Sequence, residues 1–83
     1  MKRKNKYNKK SDIIWFLVSK NGSNLSEFDI KDEIELIAFE NDIYLYWYPE
    51  KIKTENGYKQ LAFIRGDKND FARFLKFVND RMV

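Results

Sequence analysis

The chain has 83 residues with no cysteine and no histidine, which excludes disulfides, thiolate or imidazole metal ligands, and the commonest general base and strongest nucleophile. Its formal charge of +3 is unevenly placed: Met1 to Lys10 hold six of the sixteen Lys and Arg and no acid, so the remainder carries ten basic and thirteen acidic groups. A single domain of this size buries only roughly 60–65% of the surface that its unfolded chain exposes, so its seven Phe, five Tyr and two Trp must build the core, or association must help.

Taken in chain order, residues 1–11 read as a basic arm, with Lys2, Arg3, Lys4, Lys6, Lys9 and Lys10 repelling one another and Tyr7 as the one aromatic. Residues 12–83 read as one α+β domain. The apolar run Ile13 to Val18 predicts a strand buried on both faces, bounded by the turn residues Lys20-Asn21-Gly22-Ser23. It falls far short of the roughly 20 apolar residues of a membrane helix and is too short for a secretory segment, so a cytoplasmic protein is expected.

The first helix opens on Ser26 as N-cap with Asp29 three residues on, and Leu25 is placed to staple onto Ile30. Ile30, Ile34, Ile37, Ala38 and Asn41 share one stripe, and Asn41 or Asp42 ends the helix. Phe28 and Phe39 lie on the far side among Asp32 and Glu35, an apolar trim that a plain surface helix does not need.

The segment from Ile43 to Tyr48 alternates strictly, setting Ile43, Leu45 and Trp47 on one side and Tyr44, Tyr46 and Tyr48 on the other. Asn56-Gly57 predicts a two-residue hairpin turn, with the partner strand running from Tyr58 to about Ile64. Unbroken register from that turn puts Ile52, Leu61 and Phe63 with the tyrosines. One extra residue near Pro49-Glu50 would move them beneath the helices, and a bulge is predicted there because proline lacks a ladder donor. A second helix then starts at Asp67, with Asp70 at N3. Phe71, Phe74, Leu75, Val78 and Met82 form its inner stripe, and Arg73, Lys76 and Arg81 face outward. The expected fold is a two-layer α+β sandwich of βαββα order, ferredoxin-like without the last strand, with both helices on one face of a three-stranded antiparallel sheet in the order 1-3-2.

No constellation for catalysis emerges. Ser11, Ser19, Ser23 and Ser26 lie in turns and caps, and paired acids such as Asp32-Glu33 point apart on a helix, so a non-enzyme without metal, cofactor or small-molecule substrate is expected. The tyrosine side, joined by one parity of the first strand, makes an apolar surface larger than a monomer normally shows, which predicts homodimerisation or a partner protein. The plainer alternative is a strand of half-exposed β-formers. Nucleic acid is the rival occupant, with bases stacking on the tyrosines while the arm supplies phosphate contacts.

The βαββα order, Gly57-Tyr58 at the start of the third strand and the alanine-bearing helix after it resemble the front of an RNA-recognition motif over residues 12 to 80. That resemblance implies single-stranded RNA or DNA on the sheet. Leu61-Ala62-Phe63-Ile64 departs from the family's Lys/Arg-Gly-aromatic pattern, and the fourth strand is missing. A third reading has Asp29, Asp32, Glu33, Glu35, Glu40 and Asp42 mimic phosphates, with Phe28 and Phe39 as apolar anchors, as small phage inhibitors of nucleic-acid enzymes do. A solvated acidic face is its alternative.

Overall fold

A computed structural model describes residues 8–82, and the side chains of residues 81 and 82 lie outside that description. The elements run β1 (Lys9–Lys20), α1 (Glu27–Glu40), β2 (Tyr44–Thr54), β3 (Gly57–Asp67) and α2 (Lys68–Met82). The strands form one antiparallel sheet in the order β1-β3-β2, so the α+β class, the element order and the strand order match the expectation.

Local chemistry accounts for the helices. Ser26 accepts from the Asp29 backbone N–H at 3.1 Å while its own N–H donates to the Asp29 carboxylate at 3.2 Å, a closed capping box. At the other end Asn41 turns inward and donates through Nδ2 to the Ile37 carbonyl at 2.8 Å. Asp42 then takes a left-handed φ of 57°, a conformation that a short polar side chain tolerates better than most. Asp67 receives the Asn69 N–H at 3.0 Å and so caps α2. Of the predicted inner stripes, Ile30, Ile34, Ile37, Ala38 and Asn41 from α1 and Phe71, Phe74 and Val78 from α2 are buried and Leu75 is partly so, while the side chains of Met82 and of the outward-facing candidate Arg81 lie outside the described residues. The Leu25 staple is different, because Leu25 stays largely exposed.

The strands bring four corrections. β1 begins at Lys9, not beyond Ser11: Lys9 pairs with Asp67 and Lys10 with Gly66, so the end of the expected arm belongs to the sheet. β1 is covered on one face only. Phe16 and Val18 are buried beneath the helices, whereas Ile13 and Trp15 stay exposed on the other side. The hairpin turn is Glu55-Asn56, and Gly57 opens β3, one residue earlier than expected. Gly57 has φ of 147°, and a Cβ there would fall on the Ser19 carbonyl, so the neighbouring strand approaches too closely for any other residue.

The fourth correction concerns the bulge. It lies where Pro49 predicts it, but Trp47 pairs with Ala62 and Lys51 with Gln60, leaving Tyr48, Pro49 and Glu50 opposite the single Leu61. That is two extra residues, and an even number leaves the alternation of faces unchanged. Ile52, Leu61 and Phe63 therefore stay with the tyrosines, while Ala62 and Ile64, both 0% exposed, go under the helices. The reason is volume. The helices fill the layer with Phe71, Phe74, Ile34 and Ile37, so the central strand has room for an alanine there and none for a phenylalanine. Gln60, the buried polar residue of this face, donates at 2.7 Å to the Tyr48 carbonyl that the bulge removes from the ladder, and accepts from Lys31 Nζ at 3.1 Å.

Candidate docking face

Because both helices pack on one side, none of the described residues covers the opposite side of the sheet. Four rows of paired residues cross it: Ser11, Arg65 and Tyr44; Ile13, Phe63 and Tyr46; Trp15 and Leu61 facing the bulge; then Leu17, Lys59 and Ile52. Tyr44 is 59% and Tyr46 51% exposed, with Ile13, Trp15 and Ile52 also in water. Phe63, Leu61 and Tyr48 are half-buried by these neighbours.

At about 3.4 Å per residue the six steps from Lys59 to Arg65 span roughly 20 Å, and three strands about 4.8 Å apart make the face roughly 14 Å wide. The plan area is on the order of 300 Å², so the patch falls within the range of the largest that monomers carry and does not exceed it, contrary to the sequence-based expectation. The face is mainly cationic at its margins. Lys59 and Arg65 stand at the ends of the four rows, the next row on the same side pairs Lys9 with Asp67, which caps α2, and Glu50 lies in the bulge. Its rings hold one another: Tyr44 meets Phe63 at 6.1 Å and Tyr46 meets Tyr48 at 5.3 Å, both edge to face.

The remaining sequence-derived candidates are scattered. Lys2, Arg3, Lys4 and Lys6 lie outside the described residues. Lys9 and Lys10 are strand residues, and Lys10 turns to the helix side, where its ammonium sits 4.9 Å from the Phe71 ring. On α1, Phe28 is 76% and Phe39 82% exposed, and Asp32 is exposed between them. Glu35 faces β2 and accepts from the Trp47 indole N–H at 2.8 Å, so it ties the helix to the sheet edge. A shallow groove of about 420 Å³ there, lined by Phe39, Tyr44, Tyr46 and Trp47 among others, runs from the helix round to the open face.

Sequence reasoning missed four residues that the fold adds to these surfaces. Leu25 and Leu36 join Phe28 and Phe39 among the exposed apolar residues of the α1 side, and Lys59 and Arg65 supply the charge of the sheet face. Leu36 was legible, since Phe28, Asp32, Leu36 and Phe39 fall within about 80° of one another at 100° per residue. Lys59 and Arg65 were not, because their side depends on the parity of β3.

Among the described residues no group of three or more Asp or Glu is placed to hold a metal ion, and no helix is long and apolar enough to cross a membrane. No family model, curated protein or solved structure matches the chain.

Proposed function

We propose that this protein is a non-catalytic interaction module, a ferredoxin-like unit short of its last strand, that docks a protein, in the first place another copy of itself, through the open face of its sheet. The observation that supports this most is the one-sided cover: both helices serve one face, and the other keeps Ile13, Trp15, Tyr44, Tyr46 and Ile52 in water. Leaving so much apolar surface exposed costs stability that an 83-residue domain can ill spare, and a docked partner recovers it. Edge-to-face pairing of Tyr44 with Phe63 and of Tyr46 with Tyr48 favours a protein over bases, because these rings pack against one another instead of lying parallel as successive stacking platforms; Trp15 stands outside both pairs. With a footprint on the order of 300 Å², below the ~800 Å² per partner of standard stable complexes, the contact belongs to the transient class.

One observation favours a second reading, single-stranded RNA or DNA on the same face: Lys59 and Arg65 flank the aromatic rows with almost no opposing acid. One set of measurements separates the two. Under the first reading, light scattering at high micromolar protein reports association that Tyr46→Glu abolishes, and a labelled oligonucleotide shows no change in anisotropy. If the protein stays monomeric while Tyr44→Ala and Tyr46→Ala weaken oligonucleotide binding, the second reading replaces the first.

A further inference from the structure

Besides the bare sheet the molecule has a second apolar surface, on the side of α1 turned away from the core. Phe28, Leu36 and Phe39 form a stripe along it, with Leu25 exposed at its N-terminal approach. The trim of this stripe is acidic: Asp32 lies in its middle, Asp29 near its start and Glu40 at its end. The one cation of the helix, Lys31, is turned to the sheet, where it donates to Gln60 and sits 5.0 Å from the Trp47 ring. Two features on this side work against the isolated fold. Phenylalanines are set in water, and Glu40 stands in the last helical turn, where the macrodipole is negative and no basic residue offsets it.

We infer that the occupant of the open sheet is the outer face of α1 from a second copy, so that the protein associates head to tail. This rests on the sheet being a protein-docking face. Charge complementarity selects the pairing. Sheet against sheet sets Lys59 and Arg65 of one copy against those of the other, and α1 against α1 sets acid against acid. The outer face of α2 mixes Arg73 and Lys76 with Asp80, and Arg73 is paired with Asp70 at 3.2 Å, so it offers the sheet no net negative charge. Only sheet against α1 joins an apolar surface trimmed with cations to one trimmed with carboxylates. Dimensions agree. Fourteen residues of α1 make a rod about 21 Å long and about 10 Å across, which fits a strip roughly 20 Å by 14 Å. Asp29 and Glu40 are about 17 Å apart along the axis, within reach of the two cations at the ends of the strip. Such a contact is heterologous: the two surfaces are different, meeting only at the groove past Phe39, Tyr44 and Tyr46, so each added copy leaves a fresh sheet and a fresh helix exposed.

Mixing two defective variants provides the test. Wild-type protein is expected to show a weight-average mass that climbs with concentration past that of a dimer, and to lose association as salt rises. Tyr46→Glu, or Arg65→Glu as an independent change on the same face, leaves a monomer with an intact helix. The double change Phe28→Ser and Phe39→Ser, at two of the most exposed side chains, leaves a monomer with an intact sheet. Circular dichroism verifies that each is folded. Their equimolar mixture is expected to form a complex of one of each, twice the monomer mass and no larger. A mixture that stays monomeric overturns the inference, as does a wild-type protein that remains a monomer at every concentration. A dimer that Tyr46→Glu dissociates and the phenylalanine changes do not overturns it too, while leaving the open sheet as a docking face.

Discussion

The two sides of β3 meet different fates, and the side with more apolar atoms is the one left outside. Toward the helices it presents Gln60, Ala62, Ile64 and Gly66, all buried. Outward it presents Lys59, Leu61, Phe63 and Arg65, none fully covered. The larger side chains are the ones left outside. The presence of the larger apolar side chains therefore does not decide which face of a central strand becomes core. The decision falls to the volume left by helices whose phenylalanines and isoleucines already occupy the layer.

The sharpest way to break this comparison is to shorten one residue on each side. Ile64→Ala removes atoms from a sealed layer and is expected to cost about 2–5 kcal/mol in urea unfolding, enough to bring so small a domain close to its limit. Next comes Gln60→Leu. It leaves the Tyr48 carbonyl and the Lys31 ammonium without their buried partner, for an expected loss of about 1–3 kcal/mol by the same measurement. Phe63→Ala should cost the monomer less than Ile64→Ala, about 1–2 kcal/mol, because the ring is only half covered. Equal losses for Phe63→Ala and Ile64→Ala in a monomeric protein would mean that the two sides do not differ as described. The smallest effect has the opposite sign. Glu40→Lys should raise the melting temperature by an amount equivalent to about 0.3–1 kcal/mol at low ionic strength, by placing a cation at the negative end of α1.

Sequence was a good guide wherever the deciding interactions are local. Ser26 and Asp29 are three residues apart and announce their box, the inner stripes of both helices follow from a period of 3.6, and Pro49 marks the site of the bulge. The tyrosine side of β2 was legible for the same reason, since strict alternation fixes it without reference to any distant residue. Legibility ended where a choice depends on remote partners. Lys9 to Ser11 looks like a charged tail until Arg65, Gly66 and Asp67, more than fifty positions away, supply a ladder for it. Which of Leu61 and Ala62 faces inward depends on how much space α1 and α2 leave, and no window of the chain contains that information. The candidate face was half visible for this reason: alternation gave its tyrosines, whereas Lys59 and Arg65 depend on the parity of β3, and Lys2, Arg3, Lys4 and Lys6 lie outside the described residues.

The bulge at Tyr48, Pro49 and Glu50 sets a rule for how this hairpin can vary in length. Loss or gain of a single residue there would shift the pleat by half a period and exchange Ile52 with its lysine neighbours, sending Lys51 and Lys53 to the bare side and Ile52 toward α1. Gain or loss of two residues leaves every downstream side chain on its own side. Natural variants of this hairpin should therefore differ in length by even steps, a signature that a handful of related sequences is enough to check.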